Sequence, residues 1–379
     1  MNARIGWQNL RTSEFLDNGN YMLITGTDFK DGEIDYSNIH YVKKNRFDQD
    51  KKIQISNGSI LITKDGTLGK VAYVAELPMP ATLNAGVFNV RIKNENEVDD
   101  KYLFHYLKAP FLLKFSSGQS TGGTIKHLNQ NVLVKFPVPL PALAEQNKIA
   151  KFLTNFDKLI TLQQRQLDLY KKLEKGLLQK LFPKEGEKVP EVRFAEFHDD
   201  WERYKLGDFG NVSMNKRIFK DQTLDKGIPF YKIGTFGSKP DSYISPKLFA
   251  EYKKRYPYPQ KGDILISASG SIGRAIEYTG KDEYFQDSNI VWLNHSANLE
   301  NLFLKQFYKI VNWNGVEGST IKRLYNKTIL NTEIILPTTK EQLKVGNFFD
   351  KLDKNVVLRQ NKIKNLEILK KYLLQKLFI

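Results

Sequence analysis

Two glycine turns, each followed by a cation, are the residues of this chain best suited to chemistry with a ligand. They are Gly66-Thr67-Leu68-Gly69-Lys70 and Gly270-Ser271-Ile272-Gly273-Arg274. A turn of this kind can bring backbone N–H groups and a Lys or Arg against a phosphate, although a glycine turn between two strands is also common. A second loop recurs as Gly122-Gly123-Thr124-Ile125-Lys126-His127 and Gly318-Ser319-Thr320-Ile321-Lys322-Arg323. Its hydroxyls and cations suit phosphate positioning, and packing on the head of its own helix is equally open to it. Basic clusters lie at Lys43-Lys44-Asn45-Arg46, Lys51-Lys52, Lys216-Arg217 and Lys253-Lys254-Arg255, with Tyr41, Phe47, Tyr252, Tyr256 and Tyr258 among them. The candidate contacts to a polyanion are therefore Lys43, Lys44, Arg46, Lys64, Thr67, Lys70 and Lys126 in the first half. In the second half they are Lys216, Arg217, Lys253, Lys254, Arg255, Ser269, Arg274, Lys322 and Arg323.

Composition narrows the chemistry further. A net charge of +16 on a chain that is 41% hydrophobic and 12% aromatic points to a packed protein meeting a polyanion, because released counterions drive such binding. No run of 18 apolar residues is present and the first residues form no apolar signal core, so neither a membrane span nor a secretory leader is expected. There is no cysteine, which removes disulfides and thiolate metal sites and fits a reducing cytoplasm. The five histidines are far apart and none has a metal-type partner three or four residues away, so no metal site is expected. No GxxxxGK[ST], HExxH or GxSxG occurs, and no Asn/Asp-Pro-Pro-aromatic motif for methyl transfer to an amino group. Asp199-Asp200 is a carboxylate pair without a metal partner nearby and reads as a loop or helix cap. No catalytic residue is assigned. The Gly-x-x-Gly turns have the form of the KH-domain clamp, but the surrounding pattern lacks its helix pair.

The elements that must position these residues are written twice. From Thr124 to Phe182 the chain repeats itself at a constant offset of 196 residues, with 22 identities in 59 positions. Glu145-Gln146 recurs as Glu341-Gln342, and Leu177 to Phe182 returns intact at Leu373 to Phe378. Upstream, Gly58 to Lys70 matches Gly262 to Arg274 at an offset of 204. Such a period is too long for a solenoid and implies two related domains about a pseudo-two-fold axis. Ser59–Thr63 and Asp263–Ser267 read as buried strands, Val132–Leu140 and Thr328–Leu336 as closing strands, and Asp100–Phe115 and Leu299–Trp313 as short helices.

After Pro141 the periodicity turns helical. Apolar residues recur at heptad spacing through Ile149, Leu153, Phe156, Ile160, Leu167, Leu177 and Leu181. The second copy has Val345, Phe349, Leu352, Val356, Ile363, Leu373 and Leu377. The polar exceptions offer two register pairs, Gln163 with Arg359 or Glu174 with Lys370. Thr338-x-x-Glu341 has the spacing of a capping box for the second helix. Because a linker of fewer than ten residues joins the first helix to the second domain, seams pairing within the chain must run antiparallel. The C-terminus then returns beside the first domain. The expected class is α+β: two mainly β domains with short helices, separated by a long antiparallel two-helix coiled coil with a pseudo-two-fold internal repeat. The boundaries read 1–141, 142–182 (first long helix), 183–190 (linker), 191–337 and 338–379 (second long helix).

In this form the chain resembles the specificity (S) subunit of type I restriction-modification systems over nearly its whole length. The segments Pro141 to Phe182 and Pro337 to Phe378 carry the likeness. Val189-Pro190-Glu191-Val192-Arg193-Phe194 leading to Trp201 and Leu206-Gly207-Asp208 resembles the usual approach to a target-recognition domain. The first copy has no counterpart of that approach, so its initial strand is expected to be absent, trimmed or completed by the returning C-terminus. The resemblance implies a non-catalytic DNA-reading subunit with an asymmetric, bipartite target. Its partners would be double-stranded DNA, two modification subunits and the restriction subunits. S-adenosylmethionine, ATP and Mg are then expected on those partners and not on this chain. A type IIB specificity subunit and a coiled-coil protein scaffold remain the alternatives.

Overall fold

The computed structural model describes residues 1–6, 10–65, 68–118, 128–313 and 323–378. The chain forms two compact units, one of Met1–Gln164 with Asn361–Ile379 and one of Arg165–Gln360. The candidates Thr67, Lys126 and Lys322 lie outside the described residues.

In the first unit a four-stranded antiparallel sheet runs in the order Asn2–Ile5, Val87–Arg91, Ile60–Thr63, Val71–Tyr73. A smaller sheet orders His40–Tyr41, Met22–Ile24 and Ala81–Leu83, the last pair parallel. The Ile60–Thr63 strand is buried on both faces, which is why its sequence is an unbroken apolar run. Ile60 and Ile62 join a core with Tyr102, Leu103 and Leu107 of the Asp100–Lys108 helix. Leu61 faces the other way into a core with Met22, Ile24 and Leu83 of the smaller sheet. Each such side chain contributes about 1.5–3 kcal/mol by leaving water.

The second unit repeats this frame. Gly210–Met214, Ile290–His295, Ile264–Ser267 and Ala275–Glu277 form the four-stranded sheet, and Tyr243–Ile244, Ile228–Tyr231 and Tyr284–Phe285 the smaller one. Ile264 and Ile266 face the Asn301–Ile310 helix, while Leu265 packs with Phe236, Phe285 and Trp292. Register makes the equivalence residue by residue. Ile62 and Ile5 both pair with Phe88, as Ile266 and Met214 both pair with Val291.

Two local expectations are corrected. Val132–Leu140 is not a strand: Gln130–Lys135 is helical, and Pro137 and Pro139 then lack the N–H groups a ladder needs. In the second unit only Glu333–Leu336 is a strand, after a helix at Asn326–Asn331, and it pairs with Glu202–Lys205. Asn2–Ile5 is the counterpart of the strand ending at Met214, so the first unit holds all four strands of its main sheet. Among its described residues, what it lacks is a counterpart of Glu202–Lys205.

The long helices are Leu143–Lys180 and Thr339–Lys376, 38 residues each, hence about 57 Å apiece. In the first unit Ile149 and Leu153 share a core with Leu373, Leu374, Leu377 and Phe378, and Asp157 pairs with Lys370. In the second, Leu177, Leu178 and Leu181 share a core with Val345, Phe349 and Leu352. In the first unit rising numbers on one helix meet falling numbers on the other, so the segments pair antiparallel. Every seam residue named from the heptads is buried or half-buried. Glu174 and Lys370 do not face each other: Glu174 takes Lys309 at 2.7 Å in the second unit, while Lys370 turns to Asp157 in the first.

Candidate nucleic-acid interface

The repeated Glu-Gln pair fastens each head to its helix. Gln146, 1% exposed, donates from Nε2 to the carbonyls of Glu97 and Pro141 (both 2.8 Å) and accepts from Asp99 N–H (3.0 Å). Gln342 repeats this with Asn298 (3.2 Å), Pro337 (3.0 Å) and Glu300 N–H (3.0 Å). Each glutamine thus ties the start of its own helix to the start of the head's short helix. The preceding glutamates diverge. Glu341 is buried and accepts a bidentate pair from Arg193 (2.8 and 2.7 Å), whose Nη2 also reaches the Asp199 carbonyl. The carboxylate expected to close a capping box is therefore engaged by Arg193, a residue of the segment that leads into the second head.

The glycine turns prove to be hairpin loops. Thr63 N–H donates to the Lys70 carbonyl and Gly69 N–H returns to the Thr63 carbonyl across the first, as Ser267 N–H to Arg274 and Gly273 N–H to Ser267 do across the second. The hydroxyls of Thr63 and Ser267 each accept the following cation's backbone N–H at 2.9 Å. Gly69 and Gly273 sit at φ +73° and +80°. A Cβ at Gly273 would meet Trp313 Nε1 at 2.5 Å, so backbone freedom and close packing both select glycine there. The side chain of Lys70 is exposed and, among the described residues, has no carboxylate partner, whereas Arg274 donates to the Phe236 carbonyl at 2.7 Å. Lys64 lies 3.8 Å from Asp65.

The other candidates separate into committed and free groups. Arg46 gives Nε to Glu14 at 2.6 Å and Nη1 to Gln49 at 3.1 Å, and Lys44 pairs with Asp48, so this cluster braces its own short helix, Lys44–Gln49. Lys43 is exposed at that helix's N-cap. On the Pro246–Arg255 helix, Lys253 pairs with Asp282 at 3.0 Å and lies over the Tyr258 ring at 4.9 Å, and Arg255 pairs with Glu251 at 3.4 Å. Lys254 is exposed without a carboxylate partner among the described residues. Burial holds the Tyr258 and Tyr284 phenols protonated well above their ordinary range, and both donate, to the carbonyls of Glu283 and Lys216.

One group converges in the second head. Arg323 bridges to Ser269, whose hydroxyl donates to Asn289 Oδ1 at 2.7 Å. A cavity of about 370 Å³ opens beside them, lined by Met214, Ala268, Ser288, Arg323, Tyr325 and Lys327 among others. Lys216 lies over the Tyr256 ring at 5.2 Å, and Arg217 donates from Nε to Asp287 at 2.8 Å. Asp287 and Ser288 were not legible as site residues, since their partners stand some 70 positions away in sequence. The charge is also distributed unexpectedly. The two long helices hold 18 of the 58 basic residues and eight of the 42 acidic ones, so most of the net charge lies on them and not on the heads. Among the described residues no cluster of metal-type ligands occurs, and no helix is long and apolar enough to cross a membrane.

Residues 6–171 and 198–368 each match the type I restriction modification DNA specificity domain. A putative type I restriction enzyme specificity subunit of Haemophilus influenzae is 41% identical over 265 residues, which cover 69% of this chain and 66% of that protein. The type I restriction enzyme MjaVIII specificity subunit of Methanocaldococcus jannaschii is 25% identical over 340 residues, 85% of this chain and 78% of that one. Among solved structures, a type I restriction-modification S subunit from M. genitalium superposes with a TM-score of 0.62 at 16% identity, covering 100% of this chain and 93% of that chain. A chain from a type I R-M assembly gives 0.55 at 18%, covering 100% and 97%. Both likenesses concern the fold. With two matched domains that together span most of its length, the chain belongs to the type I restriction-modification DNA specificity family.

Proposed function

We propose that this chain is the sequence-reading subunit of a type I restriction-modification complex and takes no part in bond making itself. One observation carries the reading: the two heads share a backbone frame, register and helix clasp, while the side chains at equivalent turns differ. Lys64-Asp65 stands where the second head has Ala268-Ser269, although the backbone bonds are the same. Lys64 N–H donates to Gly86 and Ala268 N–H to Asn289, both at 2.7 Å. A common frame with different faces is what two different half-sites require, so the target is bipartite and asymmetric. Exposed cations that have no carboxylate partner among the described residues, Lys70, Lys254 and Arg323 among them, suit phosphates. Polar side chains at the diverged turns suit base edges.

Double-stranded DNA is then the ligand, and two modification subunits and the restriction subunits are the protein partners. S-adenosylmethionine, ATP and Mg belong to those partners, and the complex works in the cytoplasm where the DNA is. Methylation sequencing of DNA exposed to this chain with its modification subunits tests the proposal. The expected product is adenine methylation within one two-part motif, absent when this chain is omitted. Methylation by this chain alone, or a motif that persists without it, contradicts the reading. Duplex affinity indifferent to salt favours a protein scaffold instead.

A further inference from the structure

Arg217 differs from the other cations of the second head in how its guanidinium is held. Its Nε donates to Asp287 Oδ2 at 2.8 Å, while neither Nη group has a partner among the described residues. The side chain is 61% exposed and that of Asp287 only 15%. The fork is therefore fixed at its base and open at its outer edge. Its mount is rigid. Tyr284, 1% exposed, donates to the carbonyl of the preceding residue, Lys216, at 2.9 Å. Asp287 belongs to a turn in which Ser288 adopts φ +54°, a conformation a non-glycine side chain rarely takes. The turn is pinned by Ser288 N–H to Met214 Sδ (3.2 Å) and Asn289 N–H to the Asp287 carbonyl (2.6 Å).

The first head shows that this turn is an addition to the common frame. Asn84 N–H donates to Ile24 as Gln286 N–H donates to Tyr231, both at 2.9 Å. The next strand starts at Val87 in one head and Ile290 in the other. Two residues, Ala85-Gly86, thus fill the gap where the second head has three, Asp287-Ser288-Asn289. The shorter turn offers no carboxylate.

We propose that Arg217, positioned by Asp287, is a specificity-determining residue that reads a guanine in the half-site of the second head. This rests on the DNA-reading function above. Two parallel N–H groups at the outer edge of a guanidinium match guanine O6 and N7 in the major groove. A phosphate also accepts a fork, but the neighbouring carboxylate cancels most of the charge that a phosphate contact uses and leaves the hydrogen-bond pattern intact. Arg46 and Arg193 illustrate the opposite case, since each spends Nε and an Nη on protein acceptors and has no such edge left.

The test compares the complete complex carrying wild type, Arg217→Ala, Arg217→Lys or Asp287→Asn, with a randomised duplex library selected at two salt concentrations. For Arg217→Ala, preference for G·C at one position of one half-site falls about 5- to 150-fold, with the other positions and the salt slope unchanged. Arg217→Lys, which cannot form the parallel pair, loses most of that preference. Asp287→Asn loses part of it while binding all sequences more tightly at low salt. Melting curves confirm folding. The proposal is overturned if Arg217→Ala weakens all sequences alike and lowers the salt slope by about one, as a phosphate contact does. It is equally overturned if that variant binds nothing, or if the motif is unchanged. Should wild type itself select no two-part motif, it is the DNA-reading function that fails.

Discussion

Replacing Gln342 tests whether the head and its long helix are held by the clasp. The side chain is 2% exposed and makes three hydrogen bonds, two given to carbonyls and one accepted. Gln342→Ala removes all three and leaves their partners, at a junction where Gln342 itself is buried, without those bonds. At about 1 kcal/mol each, the cost is about 3 kcal/mol. Gln342→Glu keeps the shape but turns both donors into acceptors facing carbonyl oxygens. That carboxyl must take up a proton to fit, so its folded-state pKa rises above the unfolded value of about 4.3. The sign follows from linkage. Below about pH 4 the group is protonated in both states and retains one donor, so Gln342→Glu outperforms Gln342→Ala. As pH rises from about 4.3 through the folded pKa, stability drains, and near pH 7 the order reverses. Denaturant unfolding at pH 4 and pH 7, with hydrogen exchange at the start of the Asn301–Ile310 helix, reads both effects. The reasoning is refuted if Gln342→Glu matches wild type near neutrality, or if the two variants keep one order at both pH values. The same pair of changes at Gln146 should behave alike in the first head.

Three further outcomes follow from the packing. Burial pushes His105 down to about 3, and its Nε2 meets Thr154 Oγ1 at 3.1 Å. The unfolded chain takes up that proton below about pH 6.5 and the fold does not, so stability falls by up to about 1.4 kcal/mol per pH unit toward pH 3. Gln306 fills the equivalent place in the second head, so His105→Gln should fold and flatten that acid slope; an unaltered slope in differential unfolding rejects the assignment. Phe378 is 6% exposed and packs edge-on against Tyr102 and Tyr106 at 5.3 and 5.2 Å. Phe378→Ala should cost about 3–5 kcal/mol and speed hydrogen exchange in the Asp100–Lys108 helix first, and an effect confined to the second head would be wrong for this packing. Cysteines introduced at Ile149 and Leu377, which pack against one core, should crosslink within a chain on a denaturing gel, whereas dimers alone would reject antiparallel pairing.

What the sequence disclosed was whatever depends on spacing. Heptad periodicity located both long helices and their seam, and the offset of 196 residues revealed the duplication before any contact was known. The apolar runs at Ile60 and Ile264 announced doubly buried strands. What depends on distant partners stayed hidden. Glu341 has the spacing of a cap but meets Arg193, 148 positions away. Lys44 and Arg46 look like a DNA-facing cluster but are taken up by Asp48 and Glu14. Glu174 and Lys370 occupy matching places in the repeat, yet Glu174 meets Lys309 and Lys370 meets Asp157. Asp287 became visible only when a strained turn brought it under Arg217.

Exchange of one head is the most direct measurement of the account. Residues 209–325 would be replaced by those of another family member, and the methylated motif read by sequencing in the presence of the modification subunits. Because each head has its own cores, sheets and clasp, one half of the motif should change and the other stay as it was. A swap that altered both halves, or neither, would contradict the claim that the two heads read independently.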